Sequence, residues 1–297
     1  MTTPRDKDAL LDLATCPADR LWRYPICRLL LRPMMHTPVT PNHVTVLHTL
    51  VAVLAGYVIT LGSPRAFVVA GLLFELRSIL DCFDGVLARA KRLASPTGRA
   101  LDQLGDSIGF ASLMVGGFVC LSRAHGPAAA AVLVLATALV AAAGSAAWDY
   151  FRRCLASLIT RGYDTSEEEH LALQRSCADR PSGVLQMSRI VEEFQSLVLS
   201  PPTSSRPRAS GAPTMTPLGR AVQEAAARDD PELRGLLLRV GLVGGDNIIM
   251  LLTAALLLGR FVEAFPLVIV WGVAIWGYTV LTVNRYLQEG SREPLRH

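Results

Sequence analysis

Asp81-Cys82-Phe83-Asp84-Gly85-Val86-Leu87-Ala88-Arg89, continued past a basic turn by Gly98, Asp102 and Asp106, puts a group of carboxylates into chain that otherwise reads as membrane-embedded. One acidic side chain at the centre of a bilayer costs on the order of 2.5–3.5 kcal/mol on insertion scales, so such residues mark function by default. Several together repel one another unless a cation holds them. Asp81 and Asp84 stand three apart, and Asp102 and Asp106 four apart. On a helix each pair shares a face, with Cβ atoms about 5–6 Å apart. All-oxygen, hard ligands suit Mg²⁺, Mn²⁺ or Ca²⁺ rather than zinc. Two such ions about 3.5–4 Å apart clamp a phosphate undergoing in-line displacement. Gly85 and Gly98 let a bulky ligand approach the backbone, and Arg89 offers a planar fork to phosphate oxygens. The stretch reads as a divalent-metal site that handles phosphates.

The remainder of the chain fits a membrane scaffold for that site. Of the 297 residues, 51% are hydrophobic and 18% are charged, with a mean hydropathy of +0.35. That is too apolar for an ordinary soluble domain and too charged for bare spans. A net charge of +4 is modest and does not suggest a nucleic-acid partner. The 6 cysteines are scattered without a CxxC pair, so they read as reduced thiols rather than a disulfide framework. No apolar core precedes residue 21, which speaks against a cleavable signal peptide.

The expected fold is all-α and membrane-integral, with six transmembrane helices, an N-terminal amphipathic juxtamembrane helix and a cytosolic helical insertion between helices 4 and 5. Residues 1–40 form the N-terminal part: 1–17 are polar and expected to fray, and about 18–36 mixes Leu21, Trp22, Ile26 and Leu29 with Arg20, Arg23, Arg28 and Arg32. That mixture suits a helix on an anionic membrane face, or one packed on the protein's own surface. Residues 41–156 hold spans at about 41–61, 66–89, 100–121 and 127–156, and residues 237–297 hold spans at about 240–258 and 265–286. Between them, 157–236 is polar. Helical spacing at 166–178 and 183–199 predicts two helices there, and the Pro/Ser/Arg-rich piece at 201–217 predicts a flexible loop.

Positive residues set the expected orientation. The N-terminal arginines, the turn Arg89–Arg99, Arg152, Arg153, Arg161, Arg285, Arg292 and Arg296 fall on one side, and only Arg65, Arg123 and Arg260 on the other. The first side is therefore expected to be cytoplasmic, with both termini and the acidic run on it. The second and third spans run antiparallel, so the two aspartate pairs can converge at their inner ends.

Asp81, Asp84, Gly85, Ala88, Arg89, Gly98, Asp102 and Asp106 form the pattern Asp-x2-Asp-Gly-x2-Ala-Arg-x8-Gly-x3-Asp-x3-Asp. In every spacing this resembles the CDP-alcohol phosphotransferase family, and Pro41-Asn42-x2-Thr45 at the start of the first span is similar to that family too. The resemblance covers about residues 18–160. It implies a six-helix membrane enzyme in which a CDP-linked donor binds with metal, an acceptor alcohol attacks the β-phosphorus and CMP leaves. Carried over, Asp81, Asp84 and Asp102 ligate metal, two Mg²⁺ or Mn²⁺ ions, with Asp106 sharing the site and acting as general base. Gly85, Ala88, Arg89 and Gly98 would shape the CMP pocket, with Asn42 and Thr45 near it.

Within this class CDP-diacylglycerol is the leading donor, in phospholipid biosynthesis at a bacterial inner membrane, and a homodimer is compatible with small-residue faces on the third and fourth spans. The alternative is a CDP-polar alcohol, such as a CDP-inositol type, donating to a lipid or polyol phosphate. Leu80–Gly85 and Ser95–Gly98 resemble the bacterial and archaeal polyol-type branch. A non-catalytic transporter or scaffold is the reading from a different class, and it has no need of all four aspartates.

Several polar residues stay open. Glu75 and Arg77 either face the polar cavity or form a buried pair, and Arg77 can also pair with Asp81 one turn on. Asp246 and Asn247 either line an acceptor pocket or bond between helices. Arg152 and Arg153 either meet an acceptor phosphate or anchor the fourth span at the membrane surface with Trp148 and Tyr150. His43 and His48 show no metal-ligand spacing and read as packing or interfacial residues.

Overall fold

The computed structural model describes residues 4–165, 199 and 215–292. Among them every regular element is helical: α1 (Pro4–Leu11), α2 (Tyr24–Met34), α3 (Pro41–Thr60), α4 (Pro64–Ala90), α5 (Pro96–His125), α6 (Pro127–Arg161), α7 (Pro217–Ala227), α8 (Pro231–Val243), α9 (Gly245–Leu257) and α10 (Phe261–Arg292). A 3₁₀ turn covers Asp12–Ala14 and a π turn covers Asp19–Arg23. The two helices expected at 166–178 and 183–199, and nearly all of the loop at 201–217, lie outside the described residues.

One local device starts many of these helices. Thr40, Ser63, Ser95, Thr216 and Asp230 each cap a helix whose next residue is proline. The cap oxygen accepts an otherwise orphaned backbone N–H, as from His43 to Thr40 Oγ1 at 3.4 Å and from Gly98 to Ser95 Oγ at 3.0 Å. Proline at the first helical position has no N–H to orphan. Each cap contributes about 1 kcal/mol. His43 completes a reciprocal box by accepting from the Thr40 N–H through Nδ1 at 3.2 Å.

The chain divides into two compact units. The first comprises Cys16–Ala141 and Gly245–Gly272 and holds the aspartate pattern. Its organising helix is α3, which packs against both α4 and α5. The α3–α5 approach is close because small residues face each other. A Cβ on Gly116 would stand 2.8 Å from the Gly56 carbonyl oxygen, and one on Gly56 would stand 2.6 Å from that of Ser112. Backbones this near gain dispersion contact without needing a hydrophobic driving force. Below that seam Ile59, Phe74, Leu113, Leu121, Phe261 and Phe265 are fully or almost fully buried, with Phe261 and Phe265 edge-on at 5.2 Å.

The N-terminal segment of this unit is held on α4. Arg23 is buried and donates to both oxygens of Glu75 at 2.9 Å and to Asp19 at 3.0 Å, while Trp22 Nε1 donates to Glu75 at 2.7 Å. Glu75 therefore pairs with the N-terminal segment and not with Arg77. The other face of the segment is open, with Leu21 and Leu29 exposed among Arg28 and Arg32.

The second unit comprises Met1–Thr15, Ala142–Gly244 and Val273–His297. Here residues 4–14 are not frayed. Leu10 and Ala14 are buried with Phe151, Leu155, Leu237 and Val240, and Trp148 Nε1 donates to the Ala14 carbonyl at 2.7 Å. Apolar residues at helical spacing in a mostly polar start supply the anchor that overall polarity concealed.

Among the described residues four helices are long and apolar enough to cross a membrane: Pro41–Thr60, Thr97–His125, Pro127–Arg161 and Phe261–Gly290. A fifth follows if α8 and α9, broken at Gly244, are one interrupted span. Of the six spans expected, the second exists as the 27-residue α4, whose charges keep it outside that set. Its exposed large side chains are nonetheless apolar: Val68, Val69, Leu72 and Leu76. The fifth expected span, about 240–258, is the one that Gly244 divides.

Candidate metal centre

Three of the four aspartates meet, and a histidine meets with them. One ligand atom from each of His48, Asp81, Asp84 and Asp102 lies within 4.8 Å of all the others. Asp81 and Asp84 come from one face of α4, Asp102 from the first turns of α5, and His48 from α3, which packs on both. His48 Nε2 stands 3.5 Å from Asp84, 3.7 Å from Asp102 and 3.9 Å from Asp81. Asp84 is the buried member, and Thr45 Oγ1 fixes it by donating to Oδ2 at 2.6 Å. Asp81 and Asp102 are partly open, with 26% and 38% of their side chains exposed, so a ligand can reach them.

This donor set fits a divalent cation. Three carboxylates this close repel one another without a counter-charge. Asp102 Oδ1 and both ring nitrogens of His48 are buried and have no hydrogen-bond partner among the described residues. Buried polar atoms are normally satisfied, and a cation at their common focus would satisfy them.

Asp106 stands apart from this group. It bonds to Arg77 Nη2, and Arg77 Nη1 also approaches Asp81 at 3.7 Å. Arg77 is buried, whereas 46% of the Asp106 side chain is exposed. A fixed guanidinium thus orients an open carboxylate one helical turn beyond Asp102.

The remaining residues of the pattern lie on the same two helices, α4 and α5. Gly85 faces open space, since a Cβ there would meet nothing nearer than Arg89 Nη1 at 3.6 Å. Gly98 lies beside Asn42, whose Oδ1 would be 3.5 Å from an added Cβ. Asn42 and Arg89 are exposed and Ala88 is half-buried. Lys91, which no motif singles out, donates to the Thr37 and Val39 carbonyls at 2.8 Å and so ties the end of α4 to the start of α3.

Asp19, Arg23, Arg77, Asp81, Cys82 and Asp246 line a small recess next to the cluster. Asn247, beside Asp246, is buried and accepts a bond from Cys16 Sγ at 3.5 Å. Burial pushes the Cys16 thiol up to about 11, so it stays protonated as that donor. In the second unit Arg152 stacks over Trp148 at 5.0 Å and Arg153 pairs with Asp149 at 2.8 Å. The described cysteines are all free, and Cys177 lies outside the described residues.

His48 is the residue that sequence reasoning passed over. The available signal was its place one turn after Thr45 on the same helix, which aims both at one neighbour.

Residues 38–158 match the CDP-alcohol phosphatidyltransferase family model. That stretch contains every residue of the eight-position pattern, so the family resemblance is shown over it. Among curated proteins, the chain is 34% identical over 107 residues to the bifunctional IPC transferase and DIPP synthase of Rubrobacter xylanophilus, covering 34% of this chain and 24% of that protein. It is 35% identical over 78 residues to the archaetidylinositol phosphate synthase of Pyrococcus horikoshii, covering 26% of this chain and 40% of that protein. The matches thus span well under half of either relative's own length.

Proposed function

We propose that the protein is a membrane transferase that moves a substituted phosphate group from a CDP-linked donor to an alcohol and releases CMP. The observation that carries this is the convergence of Asp81, Asp84 and Asp102 on one focus, beside an open Asp106 held by Arg77. Asp81, Asp84 and Asp102 would hold divalent metal, Mg²⁺ or Mn²⁺, and Asp106, one turn beyond Asp102, would share a second ion once it leaves Arg77. When bound, the metal supplies charge neutralisation at the donor's phosphates.

The chain's own residues do the rest. Gly85, Ala88 and Gly98 leave room for the CMP moiety, Arg89 pairs with a phosphate oxygen, and Asn42 lies at the rim beside Gly98. Thr45 holds Asp84 in place. Asp106 takes the proton of the acceptor hydroxyl as its oxygen bonds to the β-phosphorus and the bond from that phosphorus to the CMP oxygen breaks. Arg77 keeps the Asp106 carboxylate aimed before the ion and the acceptor arrive. Arg77 and Asp246 line a recess of only about 20 Å³ beside Asp81, so they border the site at which an acceptor would arrive and do not enclose it.

The donor and acceptor follow from narrower support. CDP-diacylglycerol donating to a polyol phosphate is the first reading; the Pyrococcus relative's name contains inositol phosphate, which favours that acceptor class. A CDP-inositol-type donor is the second, favoured by the polyol-type wording of Leu80–Gly85 and Ser95–Gly98. On this reading the six expected spans are completed by α4, apolar on its exposed side, and by the broken α8–α9. The N-terminal segment lies on the bacterial inner membrane, the catalytic motif occupies residues 41–156 and 157–236 forms a cytosolic insertion. The positive residues would then put both termini and the aspartates in the cytoplasm; a homodimer would have to use other surface than the α5 glycines, which pack on α3.

Purified protein offered CDP-diacylglycerol or CDP-inositol, each with inositol phosphate, is expected to release CMP from one donor and to stop when divalent metal is chelated. Asp106→Asn is expected to cut the rate by about 10²–10⁴-fold, the usual worth of a general base. No CMP from either donor, with Asp106→Asn indistinguishable from the parent, would leave the transporter or scaffold reading.

A further inference from the structure

We infer that His48 is a nitrogen ligand of the cation held by Asp81, Asp84 and Asp102, so that the centre is a mixed nitrogen–oxygen site and not an all-carboxylate one. This rests on the proposal that the aspartates bind a divalent cation.

The imidazole is buried among three carboxylates and is too far from each for a good hydrogen bond. His48 is fully buried, and neither Nδ1 nor Nε2 has a hydrogen-bond partner among the described residues. A packing histidine would normally satisfy at least one of them. An ion-pairing histidine would draw a carboxylate oxygen to about 2.7–3.2 Å, yet the nearest is Asp84 Oδ2 at 3.5 Å. Nε2 instead stands nearly equidistant from three carboxylates, at 3.5, 3.7 and 3.9 Å. Donors around a shared ion are spaced in this way, since each touches the ion rather than its neighbour.

The surroundings make room for the ring in that place. Gly105 of α5 lies against it: a Cβ there would stand 3.0 Å from His48 Cε1 and 2.5 Å from Thr49 Oγ1. A side chain at 105 would press on the imidazole and on Thr49. His48 and Thr45 share one face of α3, and Thr45 holds Asp84, so a single helix supplies both a donor and the bond that steadies a neighbouring donor. An imidazole in the set favours Mn²⁺ or a later transition metal over Mg²⁺ or Ca²⁺.

The test uses Mn²⁺ as the probe on the full-length protein in lipid nanodiscs. Its binding is followed by loss of the free-ion EPR signal, and pulsed EPR reads nitrogen coupling to the bound ion with ¹⁴N- or ¹⁵N-labelled histidine. The expected result is a directly bound histidine nitrogen in the parent. His48→Gln is expected to lose that coupling and to bind Mn²⁺ at least about tenfold more weakly, the scale on which changes around a metal site are felt. If His48→Gln fails to fold, His48→Asn takes its place, and the coupling must vanish although the other five histidines stay labelled; coupling that persists would overturn the assignment. Mn²⁺ bound, abolished by Asp84→Asn, but with no histidine coupling would overturn the ligand assignment and leave the metal centre standing. No Mn²⁺ bound by the parent, with Asp84→Asn identical to it, would overturn the metal centre and the ligand assignment together.

Discussion

Thr45 and Arg23 show how single residues carry the site. Thr45 donates to Asp84 at 2.6 Å and so fixes the one buried carboxylate of the cluster. Thr45→Val keeps the volume and removes that bond. It is expected to weaken divalent-metal binding about tenfold, as loss of an outer partner does, with thermal stability little changed; calorimetric titration with Mn²⁺ checks this. Arg23 belongs to stability. It is buried and bonds Glu75 twice and Asp19 once. Arg23→Met leaves two carboxylates without their cation and is expected to cost at least about 2 kcal/mol, read as a lower unfolding midpoint in detergent. The aspartate pattern was legible because spacing alone encodes it. The Arg23–Glu75 pair was not, because nothing local distinguishes it from Glu75 with Arg77 two positions on.

At the scale of helices, the site depends on the α3–α5 seam. His48 and Thr45 ride on one helix, Asp102 and Asp106 on the other, and Gly56 and Gly116 set the distance between them. Gly116→Val forces the backbones apart, since its Cβ would meet the Gly56 carbonyl at 2.8 Å. Overpacking of this kind costs about 1–3 kcal/mol, and metal affinity is expected to fall with stability although residue 116 touches no ligand. Gly277 is the contrast. It lies inside α10 with nothing within 4 Å of an added Cβ, so Gly277→Ala is expected to be neutral or to stabilise by up to about 1 kcal/mol. The start at Pro41 was read from its proline, whereas the spans expected from about 66 and 100 begin at Pro64 and Pro96, where Ser63 and Ser95 cap them. The place of α3 among the aspartates was not legible. The short link from α4 to α5 suggested that those two helices meet directly, whereas α3 packs on both. His48 is a tertiary neighbour of the aspartates, and its one local signal is its place a turn after Thr45.

For the whole molecule, the composition identified a helical membrane protein, and residues 38–158 carry the family match. The number of crossings was less legible. Window hydropathy penalises α4 for Glu75, Arg77, Asp81 and Asp84, although its exposed residues Val68, Val69, Leu72 and Leu76 are apolar. The fifth expected span, about 240–258, read as one continuous helix and is divided at Gly244. Six crossings with both termini inside predict that reporters fused after Arg92 and at the C-terminus read cytoplasmic and that one after Gly126 reads external. The same side for all three would refute that topology. The most direct test of the central claim is CMP release by the purified protein in nanodiscs, with CDP-diacylglycerol or CDP-inositol, inositol phosphate and divalent metal. The expected result is metal-dependent CMP formation that Asp84→Asn abolishes and Asp106→Asn lowers by about 10²–10⁴-fold. CMP formation that persists unchanged in both variants, or that never occurs with either donor, would contradict it.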